Sequence, residues 1–246
     1  MELTTPIGLV LALVAIVGGT MLHGSSLGSL VETSAFVIVI IGTIAATLVQ
    51  TPLKTLIEAV KLVPLAFRPP PDNAQETLTQ IVEWSNTARK QGLLSLESTA
   101  EEQTDPFRKK ALQLLVDGTE AQLLRGILET EAEQTEEHGI KIAKVFESMG
   151  IYAPTMGICG AVLGLISVMS HLADPSKLGA GIAAAFTATI YGIGSAYLFY
   201  LPLSGKLQAF VHKRAHSQEL FVEGVVAIAN GENPRNIEAR LSGYLR

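Results

Sequence analysis

The stretch SMGIYAPTMGICGAVLGLISVMS, residues Ser148–Ser170, contains no Asp, Glu, Lys or Arg. It exceeds the roughly 20 residues that a helix needs to cross about 30 Å of hydrocarbon. Three more long runs lack all four charged residue types, and they are Leu3–Val31, Thr33–Leu53 and Leu178–Gly205. The four runs predict transmembrane helices near Ile7–Leu22, Ala35–Val49, Tyr152–Met169 and Ile182–Leu201. No stretch alternates as a β-strand does, so we predict an all-α integral membrane protein.

The composition of the 246 residues supports this prediction. Hydrophobic residues make up 48% and charged residues 17%, against about 25% charged residues in an average soluble domain. A soluble protein with four buried helices is therefore disfavoured, as is a disordered chain. The net charge of −5 disfavours a general nucleic-acid binder. A cleaved signal peptide is also disfavoured, because residues 1–20 carry no Lys or Arg.

The sequence shows no pattern typical of an enzyme. It has no phosphate-binding glycine loop, no GxSxG and no zinc-ligand spacing, so we expect neither catalysis nor a cofactor. The single cysteine, Cys159, lies in the third predicted span, and we expect it to be a packing residue. The acidic run Glu129–Glu137 has only His138 beside it, which favours a solvated helix face over a metal site.

The basic residues predict the orientation of the chain. Of the 18 Lys and Arg residues, all but Lys177 lie in Lys54–Lys144 or Lys206–Arg246. By the positive-inside rule these two segments lie in the cytoplasm. Both termini are then cytoplasmic, and the short loops His23–Glu32 and His171–Lys177 face outward.

This orientation divides the chain into four parts. They are spans one and two (residues 1–50), a cytoplasmic helical domain (51–147), spans three and four (148–205) and a cytoplasmic helical tail (206–246). The cytoplasmic domain begins with a proline linker, Pro69–Pro71. We expect Asp72 or Asn73 to cap a helix that runs through Lys90 and stops at Gly92.

Further local signals predict the remaining helices. One helix runs over Pro106–Asp117, with the proline in its first turn. The next begins near Glu120 and can continue without interruption into the third span. In the tail, Lys206–Asn230 extends the fourth span as one rod, and Asn233 with Pro234 opens a last short helix.

The predicted spans contain no Asp, Glu or His. A proton or cation pathway normally uses such a group, so a partner chain must supply it if this chain conducts ions. Gly160 and Gly164 form a GxxxG pattern, which lets helices approach closely. Pro154 begins the third span and Pro202 ends the fourth, which predicts two kinks at one depth on the cytoplasmic side and favours a gated mouth.

Four short segments carry a family resemblance. They are ARKQGLLSLE at Ala88–Glu97, YAPTMG at Tyr152–Gly157, TIYG at Thr189–Gly192 and NGENPR at Asn230–Arg235. With the order of spans and cytoplasmic parts, they resemble the MotA/PomA family of flagellar motor stator proteins over the whole chain. The PomA-type branch, which includes the MotC proteins, is the nearest.

The resemblance implies a mechanism in the bacterial inner membrane. Five such chains form a homo-oligomeric ring in the lipid bilayer around two copies of a single-span partner of the MotB/PomB type. The partner supplies an ion-binding Asp and anchors to peptidoglycan. Ion flow turns the ring, and its cytoplasmic charges push the rotor protein FliG.

The resemblance also assigns roles to individual residues. Pro154, Thr155 and Pro202 match positions of the ion pathway and its coupling, while Ala161 and Thr189 match pore-facing positions. On the cytoplasmic side, Arg89 and Glu97 match the charged pair offered to the rotor, and Lys90 is a further candidate beside them.

The transported ion is expected to be the proton. Sodium-driven relatives carry threonines at the positions that match Ala161 and Ala188. A threonine hydroxyl can coordinate sodium and an alanine methyl cannot. Of that set only Thr189 remains here, and a proton needs no coordination shell.

Three other functions are weighed against the stator. A TolQ/ExbB-type subunit that energises outer-membrane transport has one span before its large cytoplasmic segment, whereas this chain has two. A non-conducting scaffold held by GxxxG contacts has no use for paired prolines. A small-solute transporter often shows inverted repeats and a polar site of its own, and the sequence shows neither.

Overall fold

The computed structural model describes residues 4–22, 24, 28, 31–68, 73–173 and 175–245. Within them the chain is nearly all helical and has no β-strand, which confirms the predicted fold class. The helices are α1 (Thr4–Leu22), α2 (Thr33–Phe36), α3 (Gly42–Gln50), α4 (Leu53–Phe67), α5 (Ala74–Gln91), α6 (Glu97–Glu102), α7 (Pro106–Val116), α8 (Ala121–Ser170), α9 (Pro175–Ser195), α10 (Leu201–Ala229) and α11 (Pro234–Leu241).

Two pairs of helices are joined by π-helical turns instead of loops. Val37–Ile41 joins α2 to α3, and Ala196–Tyr200 joins α9 to α10, so each pair forms a continuous rod. The second turn lies just before Pro202, which has no N–H to donate to the Leu198 carbonyl and whose ring crowds it. A locally wider helical turn gives that carbonyl the space it needs.

Several of these helices have the length and composition of membrane spans. In the described part of the chain, three helical segments are long and apolar enough to cross a membrane, and they lie in Thr33–Gln50, Ala121–Ser170 and Leu178–Ala229. The stretch Pro6–Leu22 of α1 is apolar but shorter. Large apolar side chains on these helices face outward, Phe186 being 69% exposed. Such a surface suits hydrocarbon and not water.

The chain folds into two compact units, and the first comprises Met1–Pro69 and Ile140–Phe210. Its core joins α4, the middle of α8 and the start of α10 through buried apolar residues such as Ala59, Phe146 and Leu207. Across this core the Ser204 hydroxyl donates a hydrogen bond of 2.9 Å to the Ala143 carbonyl. The bond holds α10 against α8, and both of its groups are uncharged.

The second unit comprises Pro70–Gly139 and Val211–Arg246. Its core centres on Phe221, whose ring meets Trp84 edge-on at a centroid distance of 6.0 Å. The Arg108 guanidinium lies 5.1 Å above the same ring and donates a 2.6 Å hydrogen bond to the Thr77 hydroxyl. Aromatic packing and a cation–π contact thus hold α5, α7 and α10 together.

Most of the helix predictions for this part of the chain are confirmed. α8 runs unbroken from Ala121 through the predicted third span, and α10 continues the fourth. Gly92 follows α5 with a φ of 86°, a backbone conformation that other residues rarely adopt. Asn233 caps α11 by accepting the N–H of Arg235 at 3.1 Å.

Some predictions need correction. Asn73 stands at the N-cap of α5, but its side chain makes no capping hydrogen bond, so that predicted bond is wrong. The alternative cap Asp72 and the linker Pro69–Pro71 lie outside the described residues, as do parts of both predicted outward loops. Cys159 is exposed and does not pack inside the unit, because it lies off the face that α8 turns toward α9.

The acidic run on α8 is only partly a solvated face. Glu133 and Glu137 are exposed, whereas Glu131 pairs with Lys110 at 2.5 Å and Glu136 lies 2.7 Å from a ring nitrogen of His212. These contacts link α8 to the helices on either side.

Candidate functional site

Helices α8 and α9 pack against each other along a row of glycines in the first unit. A Cβ atom on Gly157 would lie 2.9 Å from the Ala188 carbonyl oxygen, and one on Gly192 would lie 2.6 Å from the Ala153 carbonyl oxygen. Neither position has room for a side chain. The two backbones are therefore in direct contact, which is the geometry that GxxxG patterns favour.

The close contact extends in both directions along the helices. Toward the end of α8, a Cβ on Gly164 would lie 3.0 Å from the Gly181 carbonyl oxygen. Toward the middle of α8, a Cβ on Gly150 would lie 2.5 Å from a Leu201 methyl. We call this row of contacts the glycine seam, and it fixes the antiparallel register of the pair.

This register corrects the predicted depth of the two prolines. Gly157 packs on Gly192 and Gly150 on Leu201, so Pro154 is level with the π turn and not with Pro202. With a rise of 1.5 Å per residue, the prolines are separated by about 10 Å along the helix axes. They interrupt the hydrogen bonding of the helix pair at two depths.

The sequence-predicted pathway residues lie beside the seam. Pro154 and Ala161 are half-buried and share one face of α8, while Thr155 is exposed. Thr189 is half-buried on α9, and its hydroxyl donates to the Ala185 carbonyl at 3.2 Å. That bond uses the only hydroxyl proton, so Thr189 offers lone pairs to any further ligand.

Ala188 lies inside the seam and is 1% exposed. A Cβ on Gly160 would come within 2.7 Å of the Ala188 methyl. A larger residue at position 188 therefore meets the backbone of α8 directly. The structure brings Ala188 and Ala161 to the same level of the pair, since Ala161 follows Gly160.

Two tyrosines outside the set of predicted pathway residues connect the rod formed by α2 and α3 to the seam helices. The Tyr191 hydroxyl accepts the backbone N–H of Glu32 at 3.3 Å, and the Tyr152 hydroxyl donates to the Gln50 side chain. Glu32 directly precedes the segment Thr33–Gln50, and Gln50 is its last residue. Tyr152 belongs to the YAPTMG segment and Tyr191 to the TIYG segment. Membership of these family segments is the sequence signal that points to the two residues.

The predicted rotor-facing residues surround an exposed turn in the second unit. Arg89 and Lys90 occupy the last turn of α5 and Glu97 opens α6, and all three are exposed. Between them the Gly92 N–H donates to the Ala88 carbonyl at 2.8 Å. The 1% exposed side chain of Leu96 anchors the turn in the core. The charges are thus held on a rigid support.

A second group of charges lies where α8, α10 and α11 meet. Glu223 is paired with Arg125 and Arg240, and it is the hydrogen bond from Arg125 above all that holds the pKa of Glu223 below its usual range. The same pair raises the pKa of Arg125. This network is part of the fold of the second unit and includes none of Arg89, Lys90 and Glu97.

Two protein-family profiles match the chain. Residues 6–92 match the motility protein A N-terminal family, and residues 99–219 match the MotA/TolQ/ExbB proton channel family. Motility protein A of Bacillus subtilis (strain 168) is 38% identical over 249 residues, which cover 100% of this chain and 91% of that protein.

Two further comparisons cover almost the full length of this chain and of the protein it matches. Chemotaxis protein PomA of Vibrio alginolyticus is 33% identical over 245 residues, covering 100% of this chain and 96% of that protein. The solved structure of C. jejuni MotAB matches with a TM-score of 0.94 at 36% identity, covering 100% of this chain and 96% of that one. The similarity to these proteins, in sequence and in fold, therefore extends along the whole length of this chain.

Proposed function

Because the chain belongs to the MotA/PomA family of flagellar motor stator proteins, we propose that it is the ring-forming subunit of a proton-driven stator. Copies of the chain, five in number, surround a single-span partner of the MotB type in the bacterial inner membrane. Proton flow through the complex is coupled to torque on the rotor protein FliG.

The proposed topology has four spans with both termini in the cytoplasm. The four uncharged runs and the confinement of Lys and Arg to two segments support it. The organisation into residues 1–50, 51–147, 148–205 and 206–246 follows from that topology. The apolar helix α1 is then the first span, although its apolar stretch Pro6–Leu22 is shorter than the others.

One observation carries the ion-conduction part of the proposal. The third and fourth predicted spans pack along the glycine seam at backbone contact, yet they contain no carboxylate and no histidine. A proton pathway needs a group that gains and loses the proton within the membrane. That group therefore comes from the partner, whose aspartate lies near the half-buried residues Pro154, Ala161 and Thr189.

The prolines act as coupling positions in this proposal. Pro154 and Pro202 each leave one helix carbonyl without its usual backbone donor, and they do so about 10 Å apart along the pair. Such weak points allow a helix to bend locally while the glycine seam keeps α8 and α9 together. Thr155 lies next to Pro154 and is exposed, so it is available to the ion pathway.

The proton remains the proposed ion. Position 161 carries a methyl group, and position 188 is an alanine packed against Gly160. Neither alanine side chain carries an oxygen atom. Among the side chains at positions 161, 188 and 189, only that of Thr189 has lone pairs that can coordinate sodium. Swimming speed measured at fixed proton-motive force should stay flat as external sodium is varied, and a steep rise with sodium would contradict this choice.

The exposed turn between α5 and α6 is the proposed contact with the rotor. Arg89, Lys90 and Glu97 present both signs of charge on a rigid support. Charged and exposed groups of this kind steer and orient a partner more than they add affinity. This fits a contact that must form and break repeatedly as a ring turns.

Complementation tests the proposed function. The chain and a single-span partner of the MotB type are expressed in a motile bacterium that lacks its own stators, and spreading in soft agar is measured. We expect spreading to return only when both chains are present.

A matched experiment addresses the outer-membrane transport alternative. The same two chains are expressed in a strain that lacks its TolQ/ExbB-type proteins, and uptake of an outer-membrane transport substrate is measured. Restored uptake without restored swimming would contradict the stator proposal.

A further inference from the structure

The rod formed by α2 and α3 packs on the part of α8 that follows Pro154. A Cβ on Gly42 would lie 3.0 Å from the Met156 sulfur atom. About one turn farther along α8, a Cβ on Gly160 would lie 3.5 Å from an Ile38 methyl carbon. These apolar contacts hold the rod against α8 beyond the proline.

A hydrogen bond holds the same rod against the part of α8 that precedes the proline. The Tyr152 hydroxyl, two residues before Pro154, donates this bond to the side chain of Gln50, the last residue of α3. Thr47 is buried and lies about one turn earlier on α3, but its hydroxyl donates to the Thr43 carbonyl of its own helix at 2.8 Å. The rod is therefore attached to α8 on both sides of Pro154.

The proline weakens α8 between these two attachments. Pro154 has no N–H to donate to the Gly150 carbonyl, so one backbone hydrogen bond of α8 is missing there. Helices bend most readily at such positions. The rod contains no proline over Thr33–Gln50, so it keeps every backbone donor. An intact helix that is attached on both sides of a weak point restrains bending at that point.

We propose that the Tyr152–Gln50 hydrogen bond restrains the bending of α8 at Pro154, which makes Tyr152 and Gln50 positioning residues of the stator. Their role in coupling rests on the function proposed above, in which Pro154 is a coupling position. With the bond in place, the two parts of α8 move together with the rod. Without it, α8 bends at the proline under thermal motion alone, so less of each ion-driven movement is transmitted along the helix.

Hydrogen–deuterium exchange of the full-length chain, purified in detergent, tests the restraint itself. Tyr152→Phe removes only the hydroxyl. Loss of an ordinary hydrogen bond shifts a local opening equilibrium by roughly two- to tenfold, so the backbone amides between residues 151 and 158 should exchange faster by that factor. Gln50→Leu should have the same effect, and the double variant should exchange no faster than either single variant.

Two controls separate this restraint from a general loosening of the fold. Tyr197→Phe removes the hydroxyl of a tyrosine that is 63% exposed, and exchange near Pro154 should stay at the wild-type rate. Pro154→Ala restores the backbone donor, so adding Tyr152→Phe to it should change exchange by less than twofold. An equal increase with and without the proline would overturn the proposal, because Tyr152 would then be a packing residue.

Rotation of single motors tests the consequence for coupling. With a MotB-type partner, Tyr152→Phe should lose torque relative to the wild type, whereas Tyr197→Phe should not. A wild-type chain that fails to rotate the motor would refute the proposed function, while the exchange measurement would still decide whether the restraint exists. Two results would overturn the inference, namely wild-type exchange near Pro154 in both Tyr152→Phe and Gln50→Leu, and faster exchange in Tyr152→Phe with wild-type torque.

Discussion

Replacing Gly192 by alanine should separate α8 from α9 and destabilise the protein. The added methyl carbon would lie 2.6 Å from the Ala153 carbonyl oxygen and 3.0 Å from the Gly157 Cα. An ordinary contact between carbon and a carbonyl oxygen is about 3.3 Å or more. The helices must therefore move apart by about 0.7 Å, since both obstacles are backbone atoms.

The size of the effect follows from known cases of overpacking. Extra methyl groups in a close-packed interior typically cost about 1–3 kcal/mol. For a chain of this length that corresponds to a lower unfolding midpoint by between about 2 and 12 °C. Thermal unfolding of the detergent-purified full-length chain, followed by the helical circular dichroism signal, measures the shift.

Gly194 provides the matched control on the same helix. A Cβ there would meet nothing within 4 Å, so Gly194→Ala adds the same methyl group without a clash. Its midpoint should equal that of the wild type or rise slightly, because alanine favours the helix over glycine. If Gly192→Ala unfolds at the same temperature as Gly194→Ala, the glycine seam does not limit the approach of the helices.

Three further predictions concern coupling, rotor contact and acid stability. Pro154→Ala and Pro202→Ala should leave the protein in the membrane, because each restores a helix hydrogen bond, but should reduce motor rotation; normal swimming by both would make the prolines packing residues. Reversing the charge of Arg89 or Glu97 should weaken torque and change the free energy of unfolding by no more than about 0.5 kcal/mol, and the opposite charge reversal on FliG should restore part of the torque. Normal swimming by both single variants would contradict a rotor contact. Because the pKa of Glu223 is lowered in the folded protein, its ion pair stabilises the fold at neutral pH, and this contribution is lost as the pH falls below the ordinary carboxyl range. In Glu223→Gln the free energy of unfolding should therefore fall less steeply at acid pH, as measured by equilibrium unfolding, and a pH profile equal to that of the wild type would contradict the prediction.

The helical elements were largely predictable because their signals are local. An uncharged run of 21 residues or more needs no partner to be recognised as apolar enough for a membrane. Pro106 suits the first turn of a helix because its φ is fixed, and Asn233 begins a helix because its side chain caps the first turn. The continuation of α8 into the third span is predictable because no proline lies between Glu120 and Ser148.

The contacts between helices were not predictable because they depend on register. The GxxxG pattern predicts close approach but not that Gly157 meets Gly192, and without that register the sequence cannot show that the two prolines lie at different depths. The π turn at Ala196–Tyr200 and the exposure of Cys159 depend likewise on how neighbouring helices pack. The charged turn was identified from family resemblance, since surface charges alone carry no such signal.

The central claim is that the chain forms a proton pathway whose titrating group belongs to its partner. Rotation of a single motor, read from a bead on a flagellar stub in a strain without other stators, tests it most directly. The chain should give torque with its partner, and none alone or with a partner whose membrane aspartate is replaced by asparagine. Sustained rotation by the chain with the asparagine partner would contradict the account, because the described spans hold no carboxylate or histidine to take over.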